Sequence, residues 1–122
     1  MYETLKDLRM TLLLENSLEM ILFFDKTGRI LEANEVAVSE LGYDSLTDGK
    51  YISEIFSKVF KRQDGNIYFK RQGNGDVFET VAYRKNRTCY PVDLKVTIHE
   101  NENEYVGLCV AINTLAEKMA AK

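Results

Sequence analysis

Few side chains in this sequence are suited to chemistry. His99 is its only histidine, and it stands beside the acidic run Glu100 to Glu104 with no cysteine or other nucleophile next to it in sequence. A lone imidazole is a poor metal signal and limits general-base catalysis. Cys89 and Cys109 are the only cysteines. A small secreted domain stapled by disulfides carries more, so two reduced thiols are expected, both on the outward-facing parity of their strands. Gly73-Asn74-Gly75 lacks the Lys-Ser/Thr and the strand-then-helix context of a phosphate loop. No Ser/His/Asp, Cys/His or clustered-carboxylate set is visible, so no enzyme activity and no metal site are expected. One stretch stands out. Lys58, Lys61, Arg62, Lys70 and Arg71 are interleaved with Phe56, Phe60, Tyr68 and Phe69, a pattern that can hold single-stranded nucleic acid. Against that reading, Phe56 belongs to an apolar helix face and Asp64 dilutes the charge. No nucleic-acid partner is therefore expected, and this reading stays an alternative.

With so little chemistry available, the elements themselves carry the argument. The 122 residues suit one domain, and 45% hydrophobic content is enough for one core. The net charge of −3 is not that of a dedicated nucleic-acid binder. No apolar run approaches the ~20 residues of a membrane helix, and the opening Met-Tyr-Glu-Thr-Leu-Lys does not read as a signal peptide. A cytoplasmic protein with no membrane partner is expected.

Residues 1–16 read as an amphipathic helix, with Leu5, Leu8 and Leu12 on one face and Met10, Leu13 and Leu14 beside them. So apolar a terminal helix must pack on something, and a second copy of the chain is expected there. Met20 to Phe24 and Ile30 to Asn34 form a hairpin across Asp25-Lys26-Thr27-Gly28. Asn34 is a helix N-cap, with Ala37, Val38 and Leu41 behind it and Gly42 as the stop. Ile52, Ile55, Phe56 and Val59 predict a second helix over about 50–60. Asp64-Gly65-Asn66 and Gly73-Asn74-Gly75-Asp76 are turn signals, with one or two turns of helix at most between them. Val77 to Arg84 and Cys89 to His99 form a second hairpin, with Tyr90, Val92, Leu94, Val96 and Ile98 on one face. Glu100 to Glu104 is a solvated turn. In the last strand, Tyr105 to Asn113, the expected inward residues are Val106, Leu108, Val110 and Ile112. Residues 115–122 begin a helix. Two strands separated from three by helices imply an α+β fold: one five-stranded antiparallel sheet with helices on one face, plus the two terminal helices.

This order resembles the PAS domain family. Phe23-Phe24-Asp25-Lys26-Thr27-Gly28-Arg29-Ile30-Leu31-Glu32-Ala33-Asn34 is similar to the family's opening hairpin, and Leu41-Gly42-Tyr43 to its first helix stop. Arg84-Lys85-Asn86-Arg87-Thr88-Cys89-Tyr90-Pro91-Val92 is similar to the hairpin joining its third and fourth strands, with Asn86-Arg87 where Asp-Gly is usual. Ile112-Asn113-Thr114 partly matches its Asp-Ile-Thr exit. The resemblance spans about residues 17–114.

The resemblance implies a sensory domain of a larger protein, such as a sensor kinase, a diguanylate cyclase or a transcriptional regulator. Such domains relay through their terminal helices to an effector module, here downstream of residue 122. Haem-binding members hold iron through a helical His, and light-sensing members use an Asn-Cys-Arg-Phe-type motif. His99 is misplaced for the first and no motif matches the second, so no haem or flavin is expected. The family pocket lies between sheet and helices. By strand parity and helical spacing its lining here would be Leu22, Phe24, Leu31, Ala33, Val38, Leu41, Ile55, Leu94, Val96, Leu108 and Val110. Such a pocket would suit a small apolar or aromatic ligand. The alternative is a ligand-free dimerisation module whose own side chains fill the core. The expected assembly is a homodimer with Leu5, Leu8 and Leu12 at the interface.

Overall fold

The structure, a computed structural model, describes residues 12–13, 17–71 and 75–120. Seven strands and three helices follow in chain order from residue 20: β1 (Met20–Phe24), β2 (Ile30–Ala33), α1 (Glu35–Leu41), α2 (Ile52–Ile55), β3 (Phe60–Gln63), β4 (Asn66–Phe69), β5 (Val77–Tyr83), β6 (Cys89–Glu100), β7 (Tyr105–Asn113) and α3 (Leu115–Ala120). Five strands form one sheet in the order β2-β1-β7-β6-β5, antiparallel at every pairing. The five-stranded antiparallel α+β fold expected from the sequence is the fold observed. Among the described residues no helix is long and apolar enough to cross a membrane.

Period-2 burial makes the inner face. Met20, Leu22 and Phe24 of β1, and Tyr90, Val92, Leu94 and Val96 of β6, all face the core. At the end of β1 the register shifts between Phe23 and Phe24. That bulge turns β2 so that Ile30 goes inward. The Asp25 carboxylate organises the intervening turn by accepting the N–H groups of Thr27 and Arg29. Gly28 closes it at φ +88°, and a Cβ there would lie 2.8 Å from Ile67 Cδ1. Both facts favour glycine.

Asn34 joins strand to helix. Its Oδ1 accepts the N–H of Ala37 at the start of α1 and that of Ile21 in β1, while its Nδ2 donates to the Glu19 carbonyl at 2.8 Å. The expected cap is thus also a strand tie. Lys50 to Ile52 then run along the free edge of β2, where Ile30 N–H donates to the Lys50 carbonyl and Ile52 N–H to the Gly28 carbonyl.

Two local expectations are corrected. The helix over 50–60 is a single turn, Ile52–Ile55, after which the chain turns at Phe56 and enters β3. Helical spacing of Phe56, Val59 and Phe60 is met by a turn and a strand that bury all three. No helix forms between 61 and 71. Instead β3 and β4 pair as a hairpin across Asp64-Gly65, both at positive φ. This is the two-residue turn whose twist matches a hairpin. The hairpin's Phe60, Ile67 and Phe69 cover the open end of the core.

Of the terminal helices, Leu5 and Leu8 lie outside the described residues, and Leu12 and Leu13 are helical and exposed. At the other end α3 buries no residue and is tied by the Lys118–Glu79 ion pair to the outward side of β5.

Candidate functional site

The residues expected to line a pocket divide into three groups. Leu22, Phe24, Leu41, Ile55, Leu94 and Val96 meet in one cluster, each 0% exposed. Ala33 and Val38 are half-buried against that cluster. Leu31, Leu108 and Val110 do not belong to it, which corrects the expectation. Leu31 is 52% exposed because it is the extra residue of the bulge, between Glu32 opposite Phe23 and Ile30 opposite Phe24. In β7 the buried residues are Gly107, Cys109 and Ala111, so Leu108 and Val110 face the other side of the sheet. The inner side of β7 carries its small residues because large ones already press on it from β1. The corresponding expectation for Cys109 is also overturned: it is buried, while Cys89 is exposed.

Large side chains fill the space between sheet and helices. Phe24 stands at its centre, edge-on to Phe60 at 5.3 Å and tilted against Tyr105 at 6.2 Å between ring centroids. Phe60 continues to Phe69, and Phe69 to Phe78. Phe60 falls outside the lining expected from the sequence because its spacing assigns it to the helix over 50–60, whereas it opens β3. A wall of a ligand-sized cavity would retain accessible surface, and the six residues at 0% exposure retain none. One concave surface lies at the rim, a cleft of about 450 Å³ lined in part by Tyr68, Phe69, Ile98 and Tyr105.

Polar groups in the core are few. The Tyr90 hydroxyl lies 3.3 Å from Met20 Sδ and 3.4 Å from the Glu40 carboxylate. Arg84 lies over its ring at 4.2 Å. Burial, then the Glu40 charge, raises the Tyr90 phenol well above its ordinary range. Burial, with Glu100, Cys109 and Asp25 adding to it, pushes Tyr105 up to about 12. Burial alone pushes the Cys109 thiol up. His99 is exposed at the end of β6.

These shifts fix a sign. In the unfolded chain thiol and phenols lose protons from about pH 8.5 to 10, before the folded chain does. Their stabilisation is therefore complete below those values and is lost as pH rises toward the folded values. Melting temperatures measured between pH 8 and 11 should fall steadily. Tyr105→Phe should flatten that fall, and a flat wild-type profile would contradict the assignment.

The comparisons agree with this geometry. A family model described as PAS domain matches residues 18–114. No curated protein sequence matches the chain. Among solved structures, the chain is similar to the PAS domain of an HTR-like protein from Haloarcula marismortui, at 26% identity and TM-score 0.66, over 88% of this chain and 91% of that one. It also resembles a PAS domain from a two-component sensor histidine kinase, at 14% identity and TM-score 0.66, over 89% and 96%. A third is a domain of a sensory box sensor histidine kinase/response regulator from Geobacter sulfurreducens, at 18% identity and TM-score 0.64, over 91% and 98%. At under 25% identity the last two speak to the fold alone.

Proposed function

This chain belongs to the PAS domain family, and from that premise we propose that it is a relay and pairing module of a larger cytoplasmic signalling protein, with its core filled by its own side chains. The observation that supports this is the complete burial of Leu22, Phe24, Leu41, Ile55, Leu94 and Val96 around the Phe24 ring. Close packing of this kind leaves no apolar space for a small molecule at the centre. Signals then enter as changes in association and leave through the terminal helices.

The outer surfaces suit that role. Val106 and Ile112 project from the outer face of the sheet, and Leu31 projects from β2 beside it. Leu115 and Met119 project from α3. A spacing of four residues places the last two on one helix side, as a coiled-coil seam requires. The partner is a second copy of the chain, joined through the N-terminal helix with Leu5, Leu8 and Leu12. The module itself performs no catalysis and holds neither haem nor flavin.

Light scattering tests the pairing. The wild type should be a dimer, and Leu8→Glu combined with Leu12→Glu should be a monomer with unchanged circular dichroism. A monomeric wild type would remove the pairing role, and a variant that remains dimeric would remove the N-terminal helix from the interface. The second reading, a small-molecule sensor, would then rest on the rim cleft lined by Tyr68, Phe69 and Tyr105.

A further inference from the structure

The β3–β4 hairpin and the residues flanking it carry a charge that the rest of the protein does not. Residues 56–71 hold five cations and one carboxylate, a net +4 in a chain whose total is −3. Among the described residues, none of Lys58, Lys61, Arg62, Lys70 and Arg71 has a carboxylate within ion-pair distance, and the ion pair present is Lys118–Glu79, elsewhere. Asp64 does not neutralise them. It sits in the turn at the tip, while Lys70 lies at the hairpin base, where its N–H donates to the Val59 carbonyl. Four strand residues separate tip from base, roughly 13 Å.

The hairpin also separates its residues by face. Phe60 and Ile67 are buried and Phe69 is half-buried, so these aromatics and aliphatics belong to the core. On the outward face Tyr68 pairs directly with Lys61 across the ladder and precedes Lys70 by two residues. Tyr68 is 50% exposed. At the margins the two arginines are already engaged, Arg62 over the Tyr51 ring at 3.8 Å and Arg71 over the Phe78 ring at 4.0 Å.

We propose that the outward face of the β3–β4 hairpin binds single-stranded nucleic acid, with Lys61 and Lys70 on successive phosphates and a base stacked on Tyr68. A ribbon of cations flanking an exposed ring is the arrangement that holds single strands without reading sequence. A membrane surface is a poorer match. The tip residues Gln63, Asp64 and Gly65 are polar, exposed and include a carboxylate, so nothing at the tip would enter lipid. An acidic peptide would use the lysines but leave the ring without a role.

Fluorescence anisotropy of labelled oligo(U) and oligo(dT), with the full chain, tests this. Binding should appear with Kd on the order of 10⁻⁵ M at low salt and weaken with salt, each phosphate contact adding about 0.7 to the log–log slope. Lys61→Gln with Lys70→Gln should reduce that slope. Tyr68→Ala should weaken binding about tenfold at an unchanged slope. All three side chains are exposed and the protein hydrogen bond at stake is the long one from Lys70 Nζ to the Ser57 carbonyl, 3.3 Å, so the melting temperatures should stay close to wild type. No anisotropy change with either oligonucleotide would overturn the proposal. So would equal binding of polyglutamate or phosphatidylserine vesicles with Tyr68→Ala silent, which would make the face a general polyanion surface.

Discussion

Gly107→Ala should destabilise the domain by about 3 kcal/mol, at the upper end of what overpacking costs. An alanine Cβ at this position would lie 2.2 Å from Phe24 Cζ and 2.3 Å from its Cε2. Neither partner has room to retreat. Gly107 is paired on both sides, with Phe24 in β1 and Ile98 in β6, so its backbone is fixed in the middle of the sheet. The Phe24 ring is held from its other sides by Phe60 and Tyr105. Urea unfolding of the single variant measures the loss. The decisive measurement is Gly107→Ala in a Phe24→Leu background, where the smaller side chain should recover at least ~1 kcal/mol. Strictly additive losses would show that ring and backbone do not compete for this space.

Phe24→Ala should cost about 3–5 kcal/mol, the range for truncating a buried aromatic ring. Its consequence for function is larger than its consequence for stability. It removes the residue at the centre of the core and leaves a hole bordered by Phe60, Tyr105 and Gly107, the groups that meet its ring. A dry hole of this kind binds small apolar rings. Indole or toluene should therefore raise the melting temperature of Phe24→Ala and leave that of wild type unchanged. An equal rise for wild type would mean that its core already accepts a ligand, and the small-molecule sensor would become the better reading.

Much of the fold could be read from alternation and punctuation. Tyr90 to Val96 alternates clearly, Met20 to Phe24 reads as a short apolar run, and Asn34 and Gly42 bracket α1 as their chemistry requires. Asp64-Gly65 was visible as a turn, and a two-residue Asp-Gly turn is itself a hairpin signal. The helical spacing just before it concealed β3. β7 failed for a different reason. It alternates large with small residues, and hydrophobicity alone assigns the large ones inward. Which side receives the volume depends on what presses from β1, a fact about Phe24 that no local pattern contains. The same limit moved Leu108 and Val110 out of the expected site, and the β1–β2 bulge moved Leu31. Arg87 shows a local rule broken. It adopts φ +69° where the related hairpins have glycine, and its guanidinium lies over the Tyr83 ring at 5.0 Å and 3.4 Å from the Glu54 carbonyl.

The strand order also constrains how the protein can be made. β1 lies between β2 and β7, so Met20 pairs with Ala111 and Phe24 with Gly107. On the ribosome, β1 and β2 can form their hairpin early, but the other edge of β1 stays unpaired until almost the whole domain has been synthesised. Closing so distant a pair carries a large loop-entropy cost and slows folding. During that interval the nascent chain exposes Met20, Leu22 and Phe24 beside an open strand edge, the combination that recruits chaperones or aggregates. Truncations ending before Tyr105 should therefore be captured as aggregates or chaperone complexes, and complete chains released promptly.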